Sequence, residues 1–163
     1  VITFDERGLK EMIDALDPEK AKPAMRKGME SAMRDAANQT KLQTSVDTGL
    51  LRADIQSEAR EEGGDILGVL GTNKTYAKPV EYGTGLLSDA PDSKKSRYFP
   101  PPSALEGWAK RHGLNAYQVA RSIYMKGGTE PKRMFRSVLE SRFFSTIVLQ
   151  RVGMALQRAL GAK

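Results

Sequence analysis

The hydrophobic periodicity of the chain switches at Val46-Asp47-Thr48-Gly49, and the switch decides the fold class. Before it, Met25, Met29, Ala32, Met33, Ala36, Ala37 and Thr40 recur at spacings of three and four, which marks one face of a helix. After it, Ile55, Ser57 and Ala59 alternate with charged and polar residues over 54–60, as a half-buried strand does. Glu61-Glu62-Gly63-Gly64-Asp65 reads as a hairpin loop, and residues 66–71 as the returning strand. Gly68 and Gly71 in that strand predict a bulge or close backbone approach. Helical character returns at the C-terminal end. The expected fold is therefore α+β: a long N-terminal helix and a long C-terminal helix packed on a small antiparallel sheet, with a short helical insertion.

The punctuation sets the boundaries. Residues 2–4 read as a short strand and 6–16 as a helix with the stripe Leu9, Met12, Ile13 and Leu16. Asp17-Pro18 reads as a cap with proline at the first helical position, and Pro23 puts the proper start of the long helix near Lys22. That helix should run to about Thr44, and its small, Met-rich stripe permits close approach to a sheet or a neighbouring subunit. Further on, Tyr76-Ala77-Lys78-Pro79-Val80-Glu81 reads as one short helical turn, stopped by Gly83-Thr84-Gly85. Residues 88–96 read as a flexible loop. Ser103 is the expected cap of a helix carrying Leu105, Trp108 and Ala109 that ends at Gly113, with Trp108 as its core anchor. Asn115 is the expected cap of a second helix that ends at Gly127-Gly128. Residues 133–160 then read as one continuous helix with two apolar edges: Phe135, Leu139, Phe143 and Ile147 on one, Val138, Val148, Val152 and Leu156 on the other. One domain over residues 1–163 is expected, with about 86–130 a loop plus helical insertion too short to hold its own core.

The net charge of +6 is uneven: residues 131–163 hold seven basic groups against the single acid Glu140, leaving 19 of each sign in residues 1–130. Such a segment could meet nucleic acid or an acidic protein surface, or be a solvated helix face. Its arginines are interleaved with apolar residues, which favours protein contact or solvation. One apolar edge of the last helix should remain uncovered by its own sheet. Val148, Val152 and Leu156 are the candidate interface residues, with Arg142, Arg151 and Arg158 around them.

Catalytic equipment is thin. His112, the single histidine, stands in Lys110-Arg111-His112-Gly113 at a helix C-terminus, where a capping role fits best. With one His and no Cys, disulfides, thiolate catalysis and the usual catalytic zinc site are excluded or improbable. Gly83-Thr84-Gly85 lacks the lysine and following helix of a phosphate cradle. Glu81 is the one acid to watch, and accepting backbone N–H bonds suits it better than general-base chemistry. No catalytic residue, cofactor or metal ligand is expected. The N-terminus shows no basic-then-apolar signal pattern, and no apolar run approaches a membrane span.

The order of motifs is specific: a long helix, Val46-Asp47-Thr48-Gly49-Leu50, a charged hairpin, Gly71-Thr72, Tyr76-Ala77 with Val80-Glu81-Tyr82-Gly83-Thr84, and a closing Pro131-Lys132-Arg133-Met134-Phe135 before a helix. From about residue 22 to 139 it resembles the tail-component family of long-tailed, lambdoid-type bacteriophages, called head–tail joining, neck or tail-completion proteins. Two positions depart from the pattern: Arg52-Ala53-Asp54 stands where a Ser often follows the Leu, and Met134-Phe135 stands where Pro-Phe is usual. The resemblance implies a non-catalytic ring subunit of the virion at the capsid–tail junction, assembled in the host cytoplasm. Its partners would be copies of itself and other neck and tail proteins, with DNA only as passing cargo and no membrane. Thr48, Gly49, Leu50, Tyr76, Ala77, Glu81, Tyr82, Gly83, Thr84 and Phe135 carry the family motifs. A tail-terminator ring protein is the nearest alternative, and a basic nucleic-acid-binding protein the alternative of another class.

Overall fold

Helix α1 runs over Pro18–Gln43, starting ahead of the position that Pro23 suggests. Pro23 would lose its bond to the carbonyl of Glu19, which lies in the first helical turn, where a carbonyl can tilt outward to avoid the ring. The proline is absorbed there instead of breaking the helix. The computed structural model describes residues 18–159, so the expected strand at 2–4, the helix at 6–16 and the end of the last helix at Leu160 lie outside the described residues. Over the described residues the chain is α+β, with a long helix towards each end and one two-stranded antiparallel sheet.

The described residues divide into two compact groups, 18–40 with 56–71 and 138–159, and 41–55 with 72–137. In the first, strands β1 (Gln56–Glu62) and β2 (Asp65–Gly71) pair antiparallel, with Ala59 opposite Gly68 and Glu62 opposite Asp65. The loop is tighter than expected: only Gly63 and Gly64 connect the strands, both at positive φ (63° and 96°), the combination a type I′ turn requires. At Gly68 the register runs through without a bulge, and what approaches closely is side chain, not the expected backbone. A Cβ there would stand 2.5 Å from the sulfur of Met33 and 3.1 Å from that of Met29. The Met stripe of α1 and the missing side chain of β2 are thus two halves of one contact. Gly71 has open space around it.

The C-terminal helix is broken in two, as α6 (Arg136–Leu139) and α7 (Arg142–Ala159). It cannot start at Arg133, whose φ of 51° is left-handed. Ser141 makes the second break: its hydroxyl accepts the Phe144 N–H (3.1 Å) and donates to the Val138 carbonyl (2.5 Å), capping α7. Helix α7 then packs on α1 through Leu156 against Ala21 and Ala24, with Val152 and Ala155 beside them. Val148 and Leu156 are buried. The edge of Val148, Val152 and Leu156, expected to lie uncovered, is therefore the one that serves the core. The exposed large side chains of α7 are Phe143 and Leu149, at 54% and 57%. Of the arginines assigned to that edge, Arg151 pairs with Asp35 of α1 (2.7 Å), while Arg142 and Arg158 are not held in the core.

The second group holds α2 (Leu50–Asp54), α3 (Ala77–Tyr82), α4 (Pro102–Arg111) and α5 (Ala116–Lys126). Helix α2 takes the place of the expected strand start; Gly49 precedes it in the left-handed region (φ 78°) and its carbonyl accepts the Ala53 N–H (2.9 Å). Five residues are too few for periodicity to reveal a helix. Helix α4 begins with Pro102 at its first position and Pro101 as cap, so Ser103 lies inside the first turn. Asn115 caps α5, its side chain accepting from the N–H groups of Tyr117 and Gln118, and Gly127 closes the helix at φ 86°. The helical pair buries Ala109 and Ala120, not Trp108, which is 39% exposed and packs its ring on His112 with centroids 4.4 Å apart. The loop at 88–96 has neither helix nor strand, and Ser88 within it is buried.

Candidate functional site

Leu51, Ala77 and Met134 form a small apolar cluster, joined by Val80 and Phe135, which brings α2, α3 and the closing motif together. Leu50 is 57% exposed; the leucine that packs is the next one. Asp54, at the end of α2, accepts the Thr72 hydroxyl (2.6 Å) and the Asn73 N–H (2.8 Å). Those two bonds hold its carboxyl below the ordinary carboxylate value. The acid that follows the position where the family pattern often has Ser thus ties α2 to the residues after β2. Thr48 is exposed, and nothing in the structure explains its place in the motif.

The turn itself is built around Glu81, the most enclosed charged group described, at 4% exposure. Its Oε2 accepts the Phe135 N–H (2.9 Å), and its Oε1 accepts both the Arg136 N–H (3.1 Å) and Arg136 Nε (3.2 Å). Those amides open α6 and have no helical partner of their own. The Glu81 carbonyl accepts the Arg133 N–H (3.1 Å) and the Val80 carbonyl the Lys132 N–H (2.9 Å). Arg136 reaches on to Asp89 (2.7 Å), which also takes Arg133 Nε (2.7 Å), and its guanidinium lies 4.6 Å from the Tyr82 ring centroid. Burial pushes the Asp89 carboxyl up, but hydrogen bonds from Arg136 and Arg133 outweigh it and the net shift is downward.

Beyond the turn the backbone of Gly83-Thr84-Gly85 lies against Gly127-Gly128-Thr129. Thr84 N–H donates to Thr129 O (3.0 Å), Leu86 N–H to Gly127 O (2.7 Å), and the two threonine hydroxyls meet at 3.0 Å. A Cβ on Gly83 would fall 2.4 Å from Thr129 O, and one on Gly128 1.9 Å from Thr84 O. The glycines permit a backbone crossing that no other residue fits. The sequence marks Gly83, Thr84 and Gly85; it shows Gly127 and Gly128 only as a helix end, and gives no sign of Asp89 or Arg136 as partners. Those contacts join residues about 40 to 55 positions apart, beyond the reach of local pattern.

This constellation is a fastener, with its polar groups consumed in holding chain segments together. A second one lies at Asp47, which receives Arg111 and stands 3.2 Å from His112 Nε2. The Arg111 hydrogen bond is the main cause that holds Asp47 below its usual value. Lys78 similarly holds Asp92 down, by a hydrogen bond at 2.8 Å. An open depression of about 330 Å³ beside the turn is lined by Lys78, Tyr82, Thr84, Asp92, Lys95 and Tyr98, and the Asp92 carboxylate there is paired with Lys78. Among the described residues no group of three His, Asp or Glu side chains could hold a metal ion, and no helix is long and apolar enough to cross a membrane.

The four lowered aspartates, Asp47, Asp54, Asp89 and Asp92, give a pH prediction. A carboxyl depressed in the folded state binds its proton more weakly than when unfolded, so its contribution is complete above the unfolded value of 3.8 and is lost as pH falls through the folded values. Melting temperature should stay flat with respect to these groups from about pH 7 to about pH 5 and drop below about pH 4. Replacing Asp47, Asp54 and Asp89 by Asn together should flatten the acid limb; an unchanged limb would show that other groups set it.

Residues 7–83 match the family model described as "Bacteriophage HK97-gp10, putative tail-component". The match bears out the resemblance read from the sequence and supports a structural component of a bacteriophage tail. It ends on Gly83, so α1, the hairpin and the signature turn up to that glycine lie within it, and Thr84, the helical insertion and Phe135 lie outside. No curated protein and no solved structure matches the chain.

Proposed function

We propose that this chain is a non-enzymatic structural subunit of the neck of a tailed bacteriophage, completing the tail where it joins the capsid. The observation that carries the reading is the fate of the motif residues inside the matched segment. Glu81 and Gly83, the groups most suggestive of chemistry or of a phosphate cradle, are spent on backbone contacts with the segment at 129–136. A motif built for chemistry would leave a polar group free to meet a substrate; this one has its polar groups bonded within the chain. Self-assembly into a closed ring is the symmetry that suits an axial channel for DNA, and the work is then done in the virion after assembly in the host cytoplasm.

The test is genetic and visual. A phage lacking this chain should accumulate filled heads and separate tails, and supplied protein should restore joined particles with the chain in the neck. Joined, infectious particles in its absence would overturn the neck assignment. Nuclease, peptidase and glycosidase assays on the purified chain should be blank.

A further inference from the structure

The β-hairpin has one face on α1, where Gly68 meets the Met residues, and one face that nothing described covers. The register puts Glu58 opposite Val69, Arg60 opposite Leu67 and Glu62 opposite Asp65, all on that outer face. Leu67 and the half-buried Val69 form its apolar centre, with Arg60 beside Leu67 and the acids Glu58, Glu62 and Asp65 around them. Leu67 is 41% exposed. Among the described residues Glu58 and Asp65 have no ion-pair partner. Three of the hairpin's four acids, Glu58, Glu62 and Asp65, lie on that face against one base, Arg60, which pairs with Glu62 (3.4 Å).

The second group of residues offers the complementary surface. It holds 14 basic groups against seven acids, more than the net charge of the whole chain. Tyr117, Arg121 and Tyr124 share one face of α5 at helical spacing. Phe99 sits against both tyrosines, with ring centroids 5.9 and 6.0 Å away. Arg97 lies 5.6 Å from the Tyr124 ring centroid and donates to the Tyr124 carbonyl (3.2 Å). All three rings are exposed, and Arg121 has no ion-pair partner among the described residues. This face has an aromatic centre and a basic rim. Tyrosine and arginine are the residues that dominate protein contacts when they cluster in this way. The rings pack on one another and are not splayed to receive bases, which favours a protein over single-stranded nucleic acid.

We propose that the outer face of the hairpin of one copy docks on the α5 face of the next, Leu67 against the three rings and the Glu58 rim against Arg121. The contact joins two different surfaces, so repetition closes a ring or extends a filament. It rests on the self-assembly part of the proposed function, and supplies the surfaces that reading lacks.

The test uses the full chain in solution, with self-association followed by analytical ultracentrifugation at low and high salt. Wild-type protein should associate, more weakly as salt rises. Arg121→Glu and Glu58→Arg should each weaken association at least about tenfold, because each sets like charges face to face. The chain carrying both changes should regain most of the loss. Unaltered circular dichroism and melting would show that each variant is folded. A wild-type chain that stays monomeric at high concentration overturns the contact, as does association indifferent to both reversals; neither result touches the tail assignment, which the virion test decides. Binding of a single-stranded oligonucleotide to the wild type that Arg121→Glu abolishes, with self-association unchanged, would assign the face to nucleic acid and overturn the contact.

Discussion

Glu81→Ala should cost about 3 kcal/mol of folding stability, the order expected when one partner of a buried pair is removed. The physical account is local. Alanine withdraws the acceptor from two amide N–H groups at the start of α6 and from Arg136 Nε at once. Orphaned buried donors each cost about 1–3 kcal/mol, and the guanidinium recovers part of its loss because Arg136 is partly exposed and keeps Asp89. Glu81→Gln separates the charge from the hydrogen bonds. Glutamine retains one acceptor oxygen for these donors but turns an NH2 towards the others, so a loss of about half that of alanine is expected. Urea denaturation of the two variants measures both. Equal, negligible losses would mean that the segment at 133–136 is held by the Met134 cluster alone, and would remove the fastener role from Glu81.

The legible part of this fold is the part written in local pattern. The period switch at 46–49, the strand alternation through Ser57 and Ala59, the hairpin and the Asn115 cap each involve neighbours in sequence; the switch and the cap stand where the pattern puts them, and the first strand and its turn differ only at their ends. The differences arise where local pattern carries no information. Apolar character is visible in the last helix, but which of its edges meets α1 depends on a helix more than a hundred residues earlier. The break at Ser141 is hidden because a serine within an apolar run costs little in a helix and becomes a cap only when the preceding residues turn away. Trp108 lies outside the core that its size suggests, because the α4–α5 pair closes through Ala109 and Ala120, whose smallness allows the helices to touch. In the candidate site, Glu81 stands out by its position in the turn. Its partner Arg136 does not, since an arginine in a basic segment looks like every other one.

Two glycines on the paired helices should respond in opposite directions to the same substitution. Glycine in a helix interior is less favourable than alanine by about 1 kcal/mol, so on propensity alone both Gly28→Ala in α1 and Gly153→Ala in α7 should stabilise. At Gly153 an added methyl would have nothing within 4 Å, and the gain of roughly 0.5–1 kcal/mol should appear in full. At Gly28 the added Cβ would stand 2.6 Å from the Cα of Val152 and 2.9 Å from the carbonyl oxygen of Arg151. Both are backbone atoms, which no rotamer change can move. The helices would have to separate, loosening Leu156 from Ala21 and Ala24, and overpacking of this kind costs about 1–3 kcal/mol or more. The clash outweighs the propensity gain, and Gly28→Ala should lose about 2 kcal/mol net. Thermal melts of the two single variants give the comparison. A stabilised Gly28→Ala would mean that α1 and α7 do not cross backbone to backbone at this point, and with that the assignment of the Val148, Val152 and Leu156 edge to the core would fall.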